Sequence, residues 1–172
     1  MEPVKGGSLA KLPEDIAQPL KAYAPDKSIS SWALRWVGSH ANVKVILSGM
    51  STMEQVEDNI KTFANFQPLN ETERELMEST AKQILDRTRN GCTGCAYCMP
   101  CPFGVDIPRN FKIWNEYAKY GNEDLTRKQY DSLKEEEKAS NCKKCGKCET
   151  LCPQAISIRK NLEEVKEEMN RL

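Results

Sequence analysis

The chain's eight cysteines fall into two short runs, and their spacing points to metal chemistry. Cys92, Cys95, Cys98 and Cys101 stand three apart and are followed by Pro102. Cys142, Cys145, Cys148 and Cys152 follow the C-x2-C-x2-C-x3-C-P pattern, closed by Pro153. Three thiolates at intervals of three on a tight loop converge on the corners of a cubane 4Fe-4S cluster, and the fourth comes from elsewhere. Two runs therefore predict two such clusters and the acceptance and release of single electrons. Zinc is the alternative metal, but it needs only four ligands, usually as two pairs parted by a longer loop, whereas four cysteines in one run suit a cubane better. Disulfides are disfavoured, because nothing in the sequence sends the chain to an oxidising compartment. Gly94 and Gly146 lie where backbone must approach sulfide, and the prolines turn the chain away. Lys143, Lys144 and Lys147 either offset the charge of a thiolate-ligated cluster and greet an acidic partner, or form a solvated face. Tyr97, Met99, Phe103, Ile107 and Ile156 are expected to form a dry shell that tunes potential.

The elements that must hold these residues are bounded by size and charge. A chain of 172 residues buries one ordinary core or two small ones. Basic and acidic residues balance at 25 each, so no whole-molecule field recruits nucleic acid or an anionic membrane. There is no apolar run of membrane-spanning length, and the N-terminus has no stretch fit for a signal peptide, so the expected location is the cytoplasm. A strand end is expected at Glu2-Pro3-Val4, breaking at Gly6-Gly7. Pro13, Ile16 and Leu20 suggest a first helix disturbed by Pro19. Trp32, Ala33, Trp36 and Val37 share a face of a second, capped by Ser30 or Ser31. Val43 to Leu47 is β-branched and apolar on both faces, the pattern of a strand covered on both sides. Ser51 and Glu54 make a capping box for a helix through Met53, Val56, Ile60 and Phe63. Asn70 and Glu73 start another, with Leu76, Ala81, Ile84 and Leu85 on its apolar face. Asp106-Ile107-Pro108 opens a helix with Phe111, Trp114 and Tyr117 on one side, and Asn122 caps the next. The tail is a charged helix with a thin stripe at Leu162, Val165 and Met169.

Two parts of the chain resemble known families. Residues 90–158 resemble the bacterial two-cluster ferredoxins in their second run, while Cys101 to Pro108 is similar to the helical ferredoxin modules of larger redox enzymes. The first run departs from the usual pattern, with two residues where three are typical between its third and fourth cysteines. In two-cluster ferredoxins the fourth cysteine of each run serves the other cluster. The resemblance implies Cys92, Cys95, Cys98 and Cys152 for cluster 1, and Cys142, Cys145, Cys148 and Cys101 for cluster 2.

Residues 1–66 resemble the last quarter of an aldo/keto reductase barrel. Glu2 to Gly7 is similar to strand seven, Ala33-Leu34-Arg35-Trp36-Val37 to the helix after it, and Val45 to Ser51 to strand eight and its turn. The resemblance implies a pocket for the adenosine end of a nicotinamide cofactor, NAD(P)(H). Gly49, Met50 and Ser51 would approach the phosphate-bearing ribose, and Gln55, Asp58 and Asn59 the adenine. A glycine turn leading into a capped helix start presents backbone donors to an anion.

Together the resemblances point to bacterial aldo/keto reductases with a C-terminal ferredoxin-type module. The expected fold is mainly α with a small α/β part: the last two strand-helix units of a (β/α) barrel, then a helical two-cluster module. The expected divisions are a barrel quarter at 1–66, a linker helix at 67–89, the cluster module at 90–158 and a charged helix at 159–172. That family's catalytic tyrosine, aspartate, lysine and histidine lie on earlier strands. The chain is expected to lack them, to be a fragment, and to reduce no carbonyl alone; no residue is assigned as catalytic, and His40 reads as a surface residue. Expected partners are a redox protein or the missing barrel half. The rival reading is a freestanding ferredoxin-like carrier whose N-terminal segment docks a partner.

Overall fold

A computed structural model describes all residues, 1–172, and divides them into two compact units, Met1–Asp86 and Arg87–Leu172. Neither unit contains a β-strand.

In the first unit four helices form: α1 (Glu14–Tyr23), α2 (Ile29–Gly38), α3 (Met53–Ala64) and α4 (Glu71–Asp86). Helix α1 follows Pro13, carries Glu14 and Asp15 in its first turn, and continues through Pro19. It buries Ile16, Ala17 and Leu20, a spacing that places all three on one face. Helix α2 is capped by Ser28, not by Ser30 or Ser31: Ser28 Oγ accepts from the Ser31 N–H at 3.0 Å, and Ser31 Oγ donates back to the Ser28 carbonyl at 2.7 Å. Its Trp32 packs with Leu20 and Leu69 into the unit's core. Asn70 and Glu73 cap α4 reciprocally, each side chain accepting the other's backbone N–H.

The barrel end expected here does not exist. Glu2, Pro3 and Val4 enter a tight turn instead of a strand, with the Lys5 N–H on the Glu2 carbonyl at 2.9 Å and the Gly7 N–H on the Val4 carbonyl at 3.0 Å. A short 3-10 turn, Lys5–Gly7, follows. Because this segment spends its donors locally, it offers no edge to Val43–Leu47, and a parallel strand without a neighbour has no ladder to form. Val45 is accordingly 75% exposed and Leu47 55% exposed. Helix α3 forms as expected from its apolar spacing yet buries none of its residues.

The second unit is built on α5 (Ile107–Tyr120), which packs against α6 (Glu123–Asp131) and α8 (Ile158–Met169); the one-turn α7 (Lys147–Thr150) lies against α8. Asp106 caps α5, Pro108 occupies its first turn, and Gly121 ends it in the left-handed conformation. Asn122 caps α6 as expected. Helix α8 buries Ile158, Leu162, Val165 and Met169, the stripe that its spacing predicts plus one residue at its start. These side chains meet Phe111 and Trp114 of α5 in one core. Two 3-10 turns, Glu135–Glu137 and Ala139–Asn141, lead the chain from α6 to the second cysteine run.

Candidate iron-sulfur site

The two cysteine runs lie on loops of matching backbone shape. The residue two after the first cysteine takes a positive φ in both, Gly94 at 72° and Lys144 at 55°. So does the residue after the second cysteine, Ala96 at 61° and Gly146 at 84°. Glycine thus serves one such position in each run, and an ordinary side chain accepts the left-handed conformation at the other. Past the fourth cysteine the match continues. The Gly104 N–H reaches the Cys101 carbonyl at 3.0 Å and the Ala155 N–H reaches the Cys152 carbonyl at 3.1 Å. The Ile107 N–H then reaches the Val105 carbonyl, as the Ile158 N–H does that of Ile156, and α5 and α8 begin at those isoleucines. The single residue missing between Cys98 and Cys101 is absorbed before this second stretch of correspondence.

Each run is anchored at its start by a buried asparagine of α5. Asn115 Oδ1 accepts the backbone N–H groups of Arg89 at 2.9 Å and Asn90 at 3.2 Å, and its Nδ2 donates to the Asn90 carbonyl at 3.1 Å. Asn90 Oδ1 in turn accepts the Cys92 N–H at 3.2 Å. Asn110, wholly buried, donates to the carbonyls of Asp106 and Glu137 and accepts the Ala139 N–H at 3.0 Å, just ahead of Cys142. All side-chain bonding capacity of Asn110 but one lone pair is used, as a buried amide requires. Neither asparagine was singled out from sequence, although an asparagine beside Phe111 or Trp114 in a helix is a signal: asparagine is a weak helix former unless its side chain has a task.

The cysteine side chains gather at two small cavities. One is lined by Cys92, Cys95, Cys98 and Cys152, with Ile107, Phe111, Ile156 and Ile158 among its walls. The other is lined by Cys101, Cys142, Cys145 and Cys148, together with Cys98, Phe103, Val105 and Leu162. All eight are unpaired thiols. Burial pushes the Cys98 thiol up, and the charges of Cys92, Cys152 and Cys95 add to it. Burial likewise pushes Cys148 up to about 11, helped by Glu149, Cys142 and Cys145. An all-sulfur donor set, walled by apolar side chains in the first cavity and by both apolar and basic ones in the second, fits iron-sulfur ligation, where bound metal holds the thiols deprotonated.

The 4Fe-4S dicluster domain family matches residues 91–157, and the aldo/keto reductase family matches residues 10–82. The chain carries an aldo/keto reductase region and a 4Fe-4S dicluster domain. No curated protein and no solved structure is significantly similar to it. The two matches together are consistent with an iron-sulfur electron-transfer portion of an oxidoreductase. No helix is long and apolar enough to cross a membrane.

Of the shell expected around the dicluster domain's cysteines, Ile107 lines both cavities, Ile156 lines the first and Met99 packs against the core. Phe103 lines the second while 43% exposed, and Tyr97, 66% exposed, shields little. Lys143, Lys144 and Lys147 line the second cavity, Lys144 paired with Glu163 at 2.9 Å.

In the aldo/keto reductase region, Gly49, Met50, Ser51, Gln55, Asp58 and Asn59 all border one cavity of about 270 Å³. The capping box at its rim is Thr52 with Gln55, one residue beyond the expected Ser51 and Glu54. Gln55 Oε1 accepts the Ser51 N–H at 2.7 Å and the Thr52 N–H at 3.4 Å, so these backbone donors are engaged and not open to an anion. Asp58 accepts from Ser28 Oγ at 2.6 Å, and Asn59 Nδ2 donates to Ser48 Oγ at 3.1 Å.

Proposed function

We propose that residues 90–158 work as one electron-transfer module holding two 4Fe-4S clusters, one on Cys92, Cys95, Cys98 and Cys152 and the other on Cys101, Cys142, Cys145 and Cys148. The observation that carries this reading is that each thiol-lined cavity draws cysteines from both runs. Bound clusters supply reversible one-electron storage. The chain's own residues do the rest. Asn115 and Asn110 fix where each run begins, and Ile107, placed between the two cavities, keeps water from both. Eight unpaired thiols suit the reducing cytoplasm.

The aldo/keto reductase region contributes a nicotinamide-binding surface in this reading. Its support is the convergence of all six residues on one cavity next to the start of α3. Gln55 must release Ser51 and Thr52 for their N–H groups to meet a phosphate, so the ligand would rearrange that cap on binding. A redox protein is the expected partner of the module.

Two double variants test the ligand sets. With crossed ligation, Cys142→Ala with Cys101→Ala strikes one cluster and leaves about four irons and four sulfides per chain from about eight of each. Cys142→Ala with Cys152→Ala strikes both. Iron and acid-labile sulfide measured on anaerobically purified protein distinguish the cases: equal loss in the two variants, or the reverse order, overturns the assignment, and protein without sulfide overturns the cluster reading.

A further inference from the structure

The two thiol cavities, alike in backbone, differ in the charge of their walls. The second is lined by Lys143, Lys144, Lys147 and Arg159, whereas the first has no charged side chain in its wall apart from its thiols. At the matching positions the first run carries Thr93, Gly94, Tyr97 and Pro108. Arg159 sits against the loop itself: a Cβ built on Gly146, between Cys145 and Cys148, would lie 3.7 Å from Arg159 Nη1 and 3.8 Å from its Cζ. The bond to Glu149 first, and further on the charges of Cys148 and Cys142, push the Arg159 pKa up, which places the guanidinium in the field of two thiolates. A cation in the first turn of a helix works against the helix dipole, so α8 itself gains nothing from a charge at Arg159. Carboxylates offset half of the second wall's charge. Lys144 pairs with Glu163 at 2.9 Å and Arg159 with Glu149 at 2.7 Å, but neither glutamate lines the cavity, and Lys143 and Lys147 are in no ion pair. Near the first run, Arg109, Lys112 and Lys119 share an outer groove with Asp106 and Glu116, and Arg109 stands 4.0 Å from Glu137, so their charges largely cancel outside the thiol cavity.

We propose that Lys143, Lys147 and Arg159 make the second nest the more easily reduced of the two, so that a single electron taken up by the module comes to rest among Cys101, Cys142, Cys145 and Cys148. The inference rests on the cluster reading above. The electron comes from a one-electron redox partner and leaves to a one-electron acceptor, and no bond is made or broken. Reduction adds one negative charge to a group that four thiolates already make negative, and positive charge in the surrounding wall favours it. Solvent exposure, another influence on such a potential, is similar in the two nests. Cys95 and Cys145 are both exposed, and the remaining thiols are half-buried except Cys148, which is more buried than its counterpart Cys98.

The test is a potentiometric titration of the full chain with both clusters, followed by electron paramagnetic resonance. Two steps are expected, the easier one favoured by at least about tenfold, or about 59 mV for a one-electron couple. Lys143→Gln with Lys147→Gln, both at exposed positions, should make the easier step roughly tenfold harder at low salt and leave the other within about twofold. Arg159→Met should act in the same direction. Arg159→Lys keeps the charge but not the two-pronged bond to Glu149, and should hold the wild-type value, which a merely structural role for Arg159 would not allow. If Arg159→Met does not retain its clusters, the lysine pair decides alone. Two steps that coincide in the wild type, a shift confined to the harder step, equal shifts in both, no shift in either, or Arg159→Lys matching Arg159→Met would each overturn the proposal. Iron and sulfide analysis of the same samples shows separately whether the cluster reading stands.

Discussion

Glu73→Gln should loosen the first unit by about 3 kcal/mol, near the lower end of what breaking a buried ion pair costs. Arg35 of α2 and Glu73 of α4 meet in a two-pronged pair, both N···O distances 2.7 Å, with their side chains only 10% and 9% exposed. Arg35 also donates to the Gln67 carbonyl at 3.3 Å and lies over the Trp32 ring, 5.6 Å from its centroid. Glutamine keeps the shape but leaves a buried guanidinium without its counter-charge and the Asn70 N–H without an assured acceptor. Burial is the largest single influence on Glu73 and pushes its carboxyl up; hydrogen bonds from Arg35 and Asn70 and the charges of Arg35 and Lys27 outweigh it and hold the group below the usual carboxylate range. The pair's stabilisation is therefore complete above the unfolded carboxylate value, about 4.3, and is lost as pH falls through the lower folded value. The assay is amide hydrogen exchange of α2 and α4, which reports this unit separately from the rest. A loss of about 3 kcal/mol appears as roughly a hundredfold faster exchange when that exchange proceeds through opening of the unit. Arg35→Met with Glu73→Leu should recover most of it, because removing both charges leaves neither unpaired. If the double variant exchanges as fast as Glu73→Gln, the unpaired charge is not the cause and the reasoning fails.

The α5 asparagines should separate the two nests. Asn115→Ala is expected to speed iron release to a chelator from the first cluster, and Asn110→Ala from the second, because each removes the side-chain partners of backbone groups at the start of a cysteine loop, at about 1–3 kcal/mol where those groups are buried; Cys92→Ala and Cys142→Ala assign the two release phases. Gly94→Ala should cost only about 1–2 kcal/mol of backbone strain in a urea titration, since an added Cβ meets nothing within 4 Å. Gly104→Ala should cost more, its Cβ lying 3.3 Å from the Glu136 carbonyl oxygen. Val45→Lys should change stability by less than about 0.5 kcal/mol in the same titration, as an exposed site allows; a large loss would restore the covered strand.

Cysteine spacing carried the metal chemistry without help from the fold, because three thiols at intervals of three residues can converge only through a tight local loop. The helix starts at Asn70, Asp106 and Asn122 were equally legible, since a cap is a contact between residues three apart. Reading failed where the partner was distant or local competition was close. Val43–Leu47 has the composition of a strand, but a strand is made by its neighbour, and Glu2–Val4 turns on itself. Ser28 and Thr52 won caps from nearby serines of similar propensity, a choice of one to three residues that chain direction decides.

By itself, then, the order of residues determined that this protein is a thiolate metal carrier with helices framing its cysteines. Tertiary structure alone decided how two buried asparagines of α5 set the starts of the two cysteine loops. Those contacts join residues 25 or more apart, and the free energy that selects them exists only once α5 and α8 have packed.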